Sequence, residues 1–140
     1  MVLITGLWLG LVIGLSFIEA PLKFRAPGIT LKLGLGIGKL VFGVLNKIEI
    51  GMCIGLFVAL FNHKNVGNYL WFGVGLLALI LLIQTAVLLP VLDQRIILIQ
   101  AGEMPPPSHY HIIYIGLELL KIVTLFFTFF NAYKLPQISA

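Results

Sequence analysis

Six ionisable side chains, Glu19, Lys39, Lys47, Glu49, Glu118 and Lys121, stand inside long apolar runs, where a water-soluble domain would not leave them. A charge at the centre of a membrane-spanning helix costs about 2.5 to 3.5 kcal/mol even on insertion scales, so such groups pair or do work. Three acids face three lysines, and pairing is arithmetically complete. At a rise of about 1.5 Å per residue, Glu19 and Lys39 fall near one interface and form an expected inner-interface pair. Lys47, Glu49, Glu118 and Lys121 gather near mid-depth. At about 100° per residue, Lys47 and Glu49 flank opposite sides of a face centred on Gly43, Asn46 and Ile50. The economical arrangement therefore sends Glu49 to Lys121 and turns Lys47 towards Glu118 or a second copy of the chain, while Glu118 and Lys121, at i and i+3, can also pair on one face.

The last apolar run adds polar groups along the same side: His111, Tyr114, Glu118, Lys121, Thr124 and Thr128, with Asn131 at its far edge and Gln84 approaching from the preceding run. This track has two readings. It is a satisfied ion-pair core that sets helix register, or a proton or ion path of the kind that lines transporters. On the second reading Lys47, Glu49, Glu118 and Lys121, with Asn46, Gln84 and Tyr114, form the translocation path.

Other chemistry is excluded or weak. His109 and His111 could hold a metal with Asp93 or Glu103, but a pair of this spacing at a helix start is more economically an interfacial cap. No two histidines sit at mid-membrane depth as paired haem ligation requires. Neither a nucleophile elbow, a phosphate-binding loop, an HExxH nor a CxxC motif occurs, so neither enzyme chemistry nor a cofactor is expected. The lone Cys53 forms no internal disulfide.

Composition decides which elements must position these groups. With 60% hydrophobic and 10% charged residues and a mean hydropathy of +1.11, the 140-residue chain cannot coat a soluble globule. A bilayer-spanning helix needs roughly 20 apolar residues. Four runs qualify, near residues 2–22, 33–61, 68–92 and 108–134, making one all-α, four-helix membrane domain over 1–140. The breaks carry turn chemistry: Arg25-Ala26-Pro27-Gly28, then 62–68 with Lys64 and Asn65, then 101–107, with Ser108 as the expected cap of the last helix. The first run lacks a basic leader and a small-residue cleavage site, and reads as a permanent helix. Lys23, Arg25, Lys32 and Arg95 on one side outweigh Lys64 and Lys134 on the other. That bias predicts both termini outside the cytoplasm, with a bacterial inner membrane as the expected location.

Two further patterns concern packing. Gly6, Gly10 and Gly14 recur every fourth residue, as do Gly51 and Gly55, a spacing that lets helices approach closely. Their partner is either a helix of the same chain or a second copy, so the expected associations are the lipid bilayer and a homo-oligomer or larger membrane complex. The net charge of +4 is spread beside apolar runs, which argues against nucleic acid. Pro21 and Pro90 each end an apolar helix ahead of a polar connection and a charged helix, as two repeated helical hairpins would. Chance likeness between apolar helices accounts for this equally well.

Phe17-Ile18-Glu19-Ala20-Pro21-Leu22-Lys23-Phe24, Gly38-Lys39-Leu40-Val41-Phe42 with Asn46 and Glu49, Leu89-Pro90-Val91-Leu92-Asp93-Gln94-Arg95, and Ser108-His109-Tyr110-His111 together resemble the transmembrane protein 205-like family of small four-helix membrane proteins. The resemblance implies the architecture; an animal relative is associated with platinum-drug resistance and proposed export. The resemblance names no substrate, because Cys53 and the three methionines are too scattered to bind a soft metal.

Overall fold

The computed structural model describes residues 1–63 and 66–135, and shows four helices long and apolar enough to cross a membrane: α1 (Val2–Arg25), α2 (Leu31–Asn62), α3 (Asn68–Gln100) and α4 (Tyr110–Tyr133). Among the described residues there is no strand. Backbone amides and carbonyls find no partner in hydrocarbon, so runs this apolar close their hydrogen bonds within each helix. The helices pack in a ring, α1 on α2, α2 on α3, α3 on α4 and α4 back on α1. Met1 and Leu135 both pack on the same apolar core at one end of the bundle.

Several boundaries move from those expected. Helix α3 runs on to Gln100 rather than stopping near 92, so Asp93 and Arg95 sit on helix and not in a connection. Nothing between Pro90 and Gln100 breaks a helix: the sequence there has neither glycine nor a further proline. Ser108 does not cap α4; the N-cap position is His109, without a side-chain cap bond. Thr30 does cap α2, its hydroxyl accepting from the Leu33 amide at 3.3 Å. The turn before it has Ala26 extended ahead of Pro27 and Gly28 at φ +82°, which favours glycine; Gly102 does the same at φ +91° in the connection from α3 to α4. Lys64 and Asn65, expected in the connection from α2 to α3, lie outside the described residues, as does the terminal Ala140.

Two interruptions matter for the site. Residues Ile13–Glu19 of α1 and Gln84–Leu88 of α3 are wound as π-helix, and each run ends just before a proline, Pro21 or Pro90. Proline lacks an amide hydrogen and its ring crowds the carbonyl four residues earlier, so the preceding turn is widened. The Ala20 amide accordingly donates five residues back to Leu15, and Leu89 five back to Gln84.

The two halves correspond in more than these prolines. Pro21 and Pro90, Ser16 and Thr85, Glu49 and Glu118, and Asn62 and Asn131 stand at one constant interval. Both asparagines donate to the carbonyl four residues back, Val58 and Phe127. The hairpin repeat suggested by the sequence thus has matching local structure, in which Glu49 aligns with Glu118 and Lys121 aligns with Met52.

The bundle has three tiers. At the end holding Met1 and Leu135, Trp8, Leu56, Leu60, Leu70, Val74, Leu77 and Leu125 form a dry apolar core. In the middle lies a polar cluster. At the opposite end, between the connections, a chamber opens. Outward faces are apolar, with Leu3, Leu40, Phe61, Phe72 and Val123 among the most exposed. That pattern suits a bilayer as solvent.

Candidate functional site

Lys121 is the hub of the middle tier. Its Nζ lies 2.7 Å from Glu49 Oε1 on α2 and 2.7 Å from Glu118 Oε1 one turn away on α4. Lys121 has no exposure and each glutamate retains 1%. The carboxylates are held from further sides: the Trp8 indole donates to Glu49 Oε1 at 2.8 Å, the Gln84 amide to Glu118 Oε1 at 2.7 Å, and the Ser16 hydroxyl to Glu118 Oε2 at 2.7 Å. All four helices therefore contribute, and hydrogen bonds to charged groups of this kind are among the strong ones.

The π-helical runs explain how α1 and α3 take part. Ser16 and Gln84 both lie in them, and π-turns recur at functional sites. Thr85, the counterpart of Ser16, accepts from Asn46 of α2 at 2.8 Å while donating to its own Leu81 carbonyl. Each π-run thus sends a hydroxyl across to the second helix of the other hairpin. The symmetry is broken by Lys121, whose counterpart is Met52, so two equivalent carboxylates share one ammonium.

The structure brings together Glu49, Glu118, Lys121 and Gln84, with Asn46 beside them. Tyr114 packs edge-on against Phe42, ring centres 5.7 Å apart, and faces the chamber rather than joining the ion pairs. Two expectations are corrected. Lys47 is exposed and takes no part in the cluster: with Glu49 turned inward, a residue two positions away on a helix points to the opposite flank. Glu19 does not meet Lys39; it pairs with Lys23 one turn along, at 3.3 Å, because that neighbour shares its own face. Lys39 lines the chamber instead.

Nor does a polar track cross the whole bundle. Thr124 and Thr128 are buried, but their hydroxyls donate to carbonyls of their own helix, Leu120 and Thr124. Beyond Lys121 the neighbours are the apolar core. His109 and His111 gather no third ligating side chain, and no group of three metal-binding residues occurs among the described residues.

The chamber holds about 540 Å³ and is lined by the polar side chains Lys39, Asp93, Arg95 and His111 as well as by Ser16 and Glu118 of the charge cluster. Phe17, Phe24, Phe42, Leu92 and Ile96 supply apolar walls. Lys23 crosses one side, its Nζ 5.6 Å from the Phe42 ring and 5.7 Å from the Phe24 ring. A volume of this size falls within the range of small-molecule pockets. Sequence reasoning missed the chamber because its walls come from connections read as loops and from residues on four helices; Asp93-Gln94-Arg95 within an unbroken helical stretch was the available signal.

The glycines divide in the same way. Gly6 packs against Phe129 and Gly55 against Ile4, each within the chain, whereas Gly10, Gly14 and Gly51 have open space beside them. Tighter approaches occur elsewhere: a side chain at Gly34 would collide with the Phe24 ring, and one at Gly73 would come within 2.7 Å of the Thr128 hydroxyl. Comparison with protein-family models, curated proteins and solved structures finds no match for this chain.

Proposed function

We propose that the chain is a small membrane permease, a transporter or channel-like protein in which solute enters the chamber and meets the Glu49–Lys121–Glu118 cluster at mid-membrane. The observation that carries this reading is the lining of the chamber. A cavity among the helix ends near the connections is lined by Glu118 and Ser16, members of a buried charge network backed by an apolar core. A purely structural ion-pair core has no need of an entrance, whereas a permease needs access to its charged site from at least one side. The resemblance to the transmembrane protein 205-like family belongs to the same proposal, as an argument from architecture.

Blocking the entrance is the test. Purified protein reconstituted in vesicles is assayed for flux of a panel of small solutes by light scattering. Ile96→Trp, which fills the chamber wall, should abolish flux while leaving the protein folded. Flux that persists in this variant, or is missing for every solute in the unmodified protein, refutes the reading.

A second reading, an accessory subunit of a larger membrane complex, is favoured by Lys47. It lies midway along α2 on an exposed face and has no hydrogen-bond or ion-pair partner among the described residues. A second copy would offer it no free acid at that depth. Glu49 and Glu118 are buried, Glu19 is paired with Lys23, Asp93 lines the chamber, and Glu103 lies in the connection from α3 to α4. A carboxylate on another protein's spanning helix would satisfy it. Co-purification from mild detergent that depends on Lys47 would support this reading, and a homo-oligomer that assembles equally well with Lys47→Leu would count against it.

A further inference from the structure

We infer that Glu118 is a proton-binding site loaded from the chamber, so that the proton is the ion this protein carries or couples to; the carrying step rests on the permease reading, the binding step does not. Glu49 and Glu118 share the single ammonium of Lys121, and the three are essentially without exposure. Fully ionised, the cluster holds an uncompensated negative charge in surroundings that solvate it poorly, a costly state unless neutralised. One proton cancels it. Both carboxylates occupy equivalent repeat positions, but only Glu118 lines the chamber.

Local geometry suits Glu118 for loading. Among the described residues its Oε2 is bonded by Ser16 alone, and Ser16 itself lines the chamber. A hydroxyl both donates and accepts, so Ser16 can turn from donating to the carboxylate to accepting from the carboxylic acid without moving its oxygen. Lys121 and Gln84 stay on Oε1 throughout. The exchange balances: an O–H bond of a hydronium ion in the chamber breaks, an O–H bond forms on Glu118 Oε2, one water is released, and the cluster passes from one negative charge to none.

A second observation points the same way. Gln84 has no exposure, its amide nitrogen donates to Glu118, and its Oε1 is the one buried side-chain polar atom without a hydrogen-bond partner among the described residues. An unsatisfied acceptor is normally avoided in a protein interior. Here it offers an acceptor for a hydrogen-bond donor brought in beside Glu118. The charged and titratable groups around the site are Lys23 from α1, Lys39 and Glu49 from α2, Asp93 and Arg95 from α3, and His111, Tyr114 and Lys121 from α4. Of these only Lys121 touches Glu118, and it is already shared with Glu49.

Infrared difference spectroscopy of the reconstituted protein, titrated with acid in H₂O and D₂O, reads the proton of the cluster. Ser16→Ala, which removes a bond to Glu118 and none to Glu49, should shift its band; an unshifted band would place the proton on Glu49 and overturn the proposal. The expected result is one protonated-carboxyl band per chain, lost in Glu118→Gln and kept in Glu19→Gln. Glu49→Gln leaves a one-to-one pair and should also lose the band over the same pH range. A band that survives Glu118→Gln, one unaltered in Glu49→Gln, or none at any pH at which the protein stays folded, overturns the proposal. Proton flux into vesicles, followed with an entrapped pH dye, forms the second arm and should be lost in Glu118→Gln. If the band is present and the unmodified protein passes no protons, the binding site stands and the permease reading fails. If Glu118→Gln passes protons as well as the unmodified protein, Glu118 does not carry them.

Discussion

Removing the shared ammonium should hurt far more than removing either carboxylate, and the difference follows from counting charges in the cluster. In Lys121→Met two glutamates of 1% exposure lose their only cation, 2.7 Å away in each case. Each charge-assisted hydrogen bond is worth about 1.5 to 3 kcal/mol. Breaking a buried pair by deleting one partner typically costs about 3 to 5 kcal/mol, since the survivor stays buried and uncompensated. Against a total folding stability of about 5 to 15 kcal/mol, that is a large share. Glu118→Gln behaves differently. The amide keeps the shape of the carboxyl, its oxygen still accepts from Gln84 and Lys121, its nitrogen can donate to Ser16, and Glu49 with Lys121 remains a neutral pair. The expected loss is below about 1 kcal/mol, the scale of one neutral hydrogen bond. Equilibrium unfolding in mixed micelles with a rising fraction of denaturing detergent measures both variants on one scale. Equal destabilisation by Glu118→Gln and Lys121→Met would refute the charge count, because it would mean that losing one carboxylate leaves the cluster no better compensated than losing the shared ammonium.

Trp8→Phe deletes one donor to Glu49 while keeping an aromatic ring in the core, and should cost about 1 to 3 kcal/mol in the same unfolding assay. Gly73→Leu forces a side chain against Thr128 and should destabilise by about 1 to 3 kcal/mol, whereas Gly10→Leu meets open space and should leave the isolated chain's melting temperature unchanged. Lys47→Leu removes an exposed mid-helix charge and should favour membrane insertion by about 2.5 to 3.5 kcal/mol, read as the inserted fraction in a translocon assay. No gain in insertion would mean that Lys47 already reaches a polar partner or the interface.

The apolar runs were enough to predict four helices because in hydrocarbon a continuous run leaves the backbone no alternative to satisfying itself. Helical angle together with depth was enough to aim Glu49 at Lys121 across the bundle, since both are properties of a single regular helix. Glu19 was matched to Lys39 by depth without regard to helical angles, and it pairs with Lys23 on its own face instead. Helical angles left Lys47 open between Glu118 and a second copy, because one helix does not say which of its flanks the others cover. The end of α3 was lost for a related reason: Asp93 and Arg95 looked like polar connection, yet charged side chains tolerate a helix whose polar face borders a cavity. The chamber and the Ser16 contact to Glu118 belong to tertiary structure alone. Each depends on how π-turns in α1 and α3 rotate short polar side chains towards α4, and on how far the helices stand apart between the connections. Local sequence determines what each helix must bury; only the packed bundle decides which of those groups meet, and which of them solvent can reach.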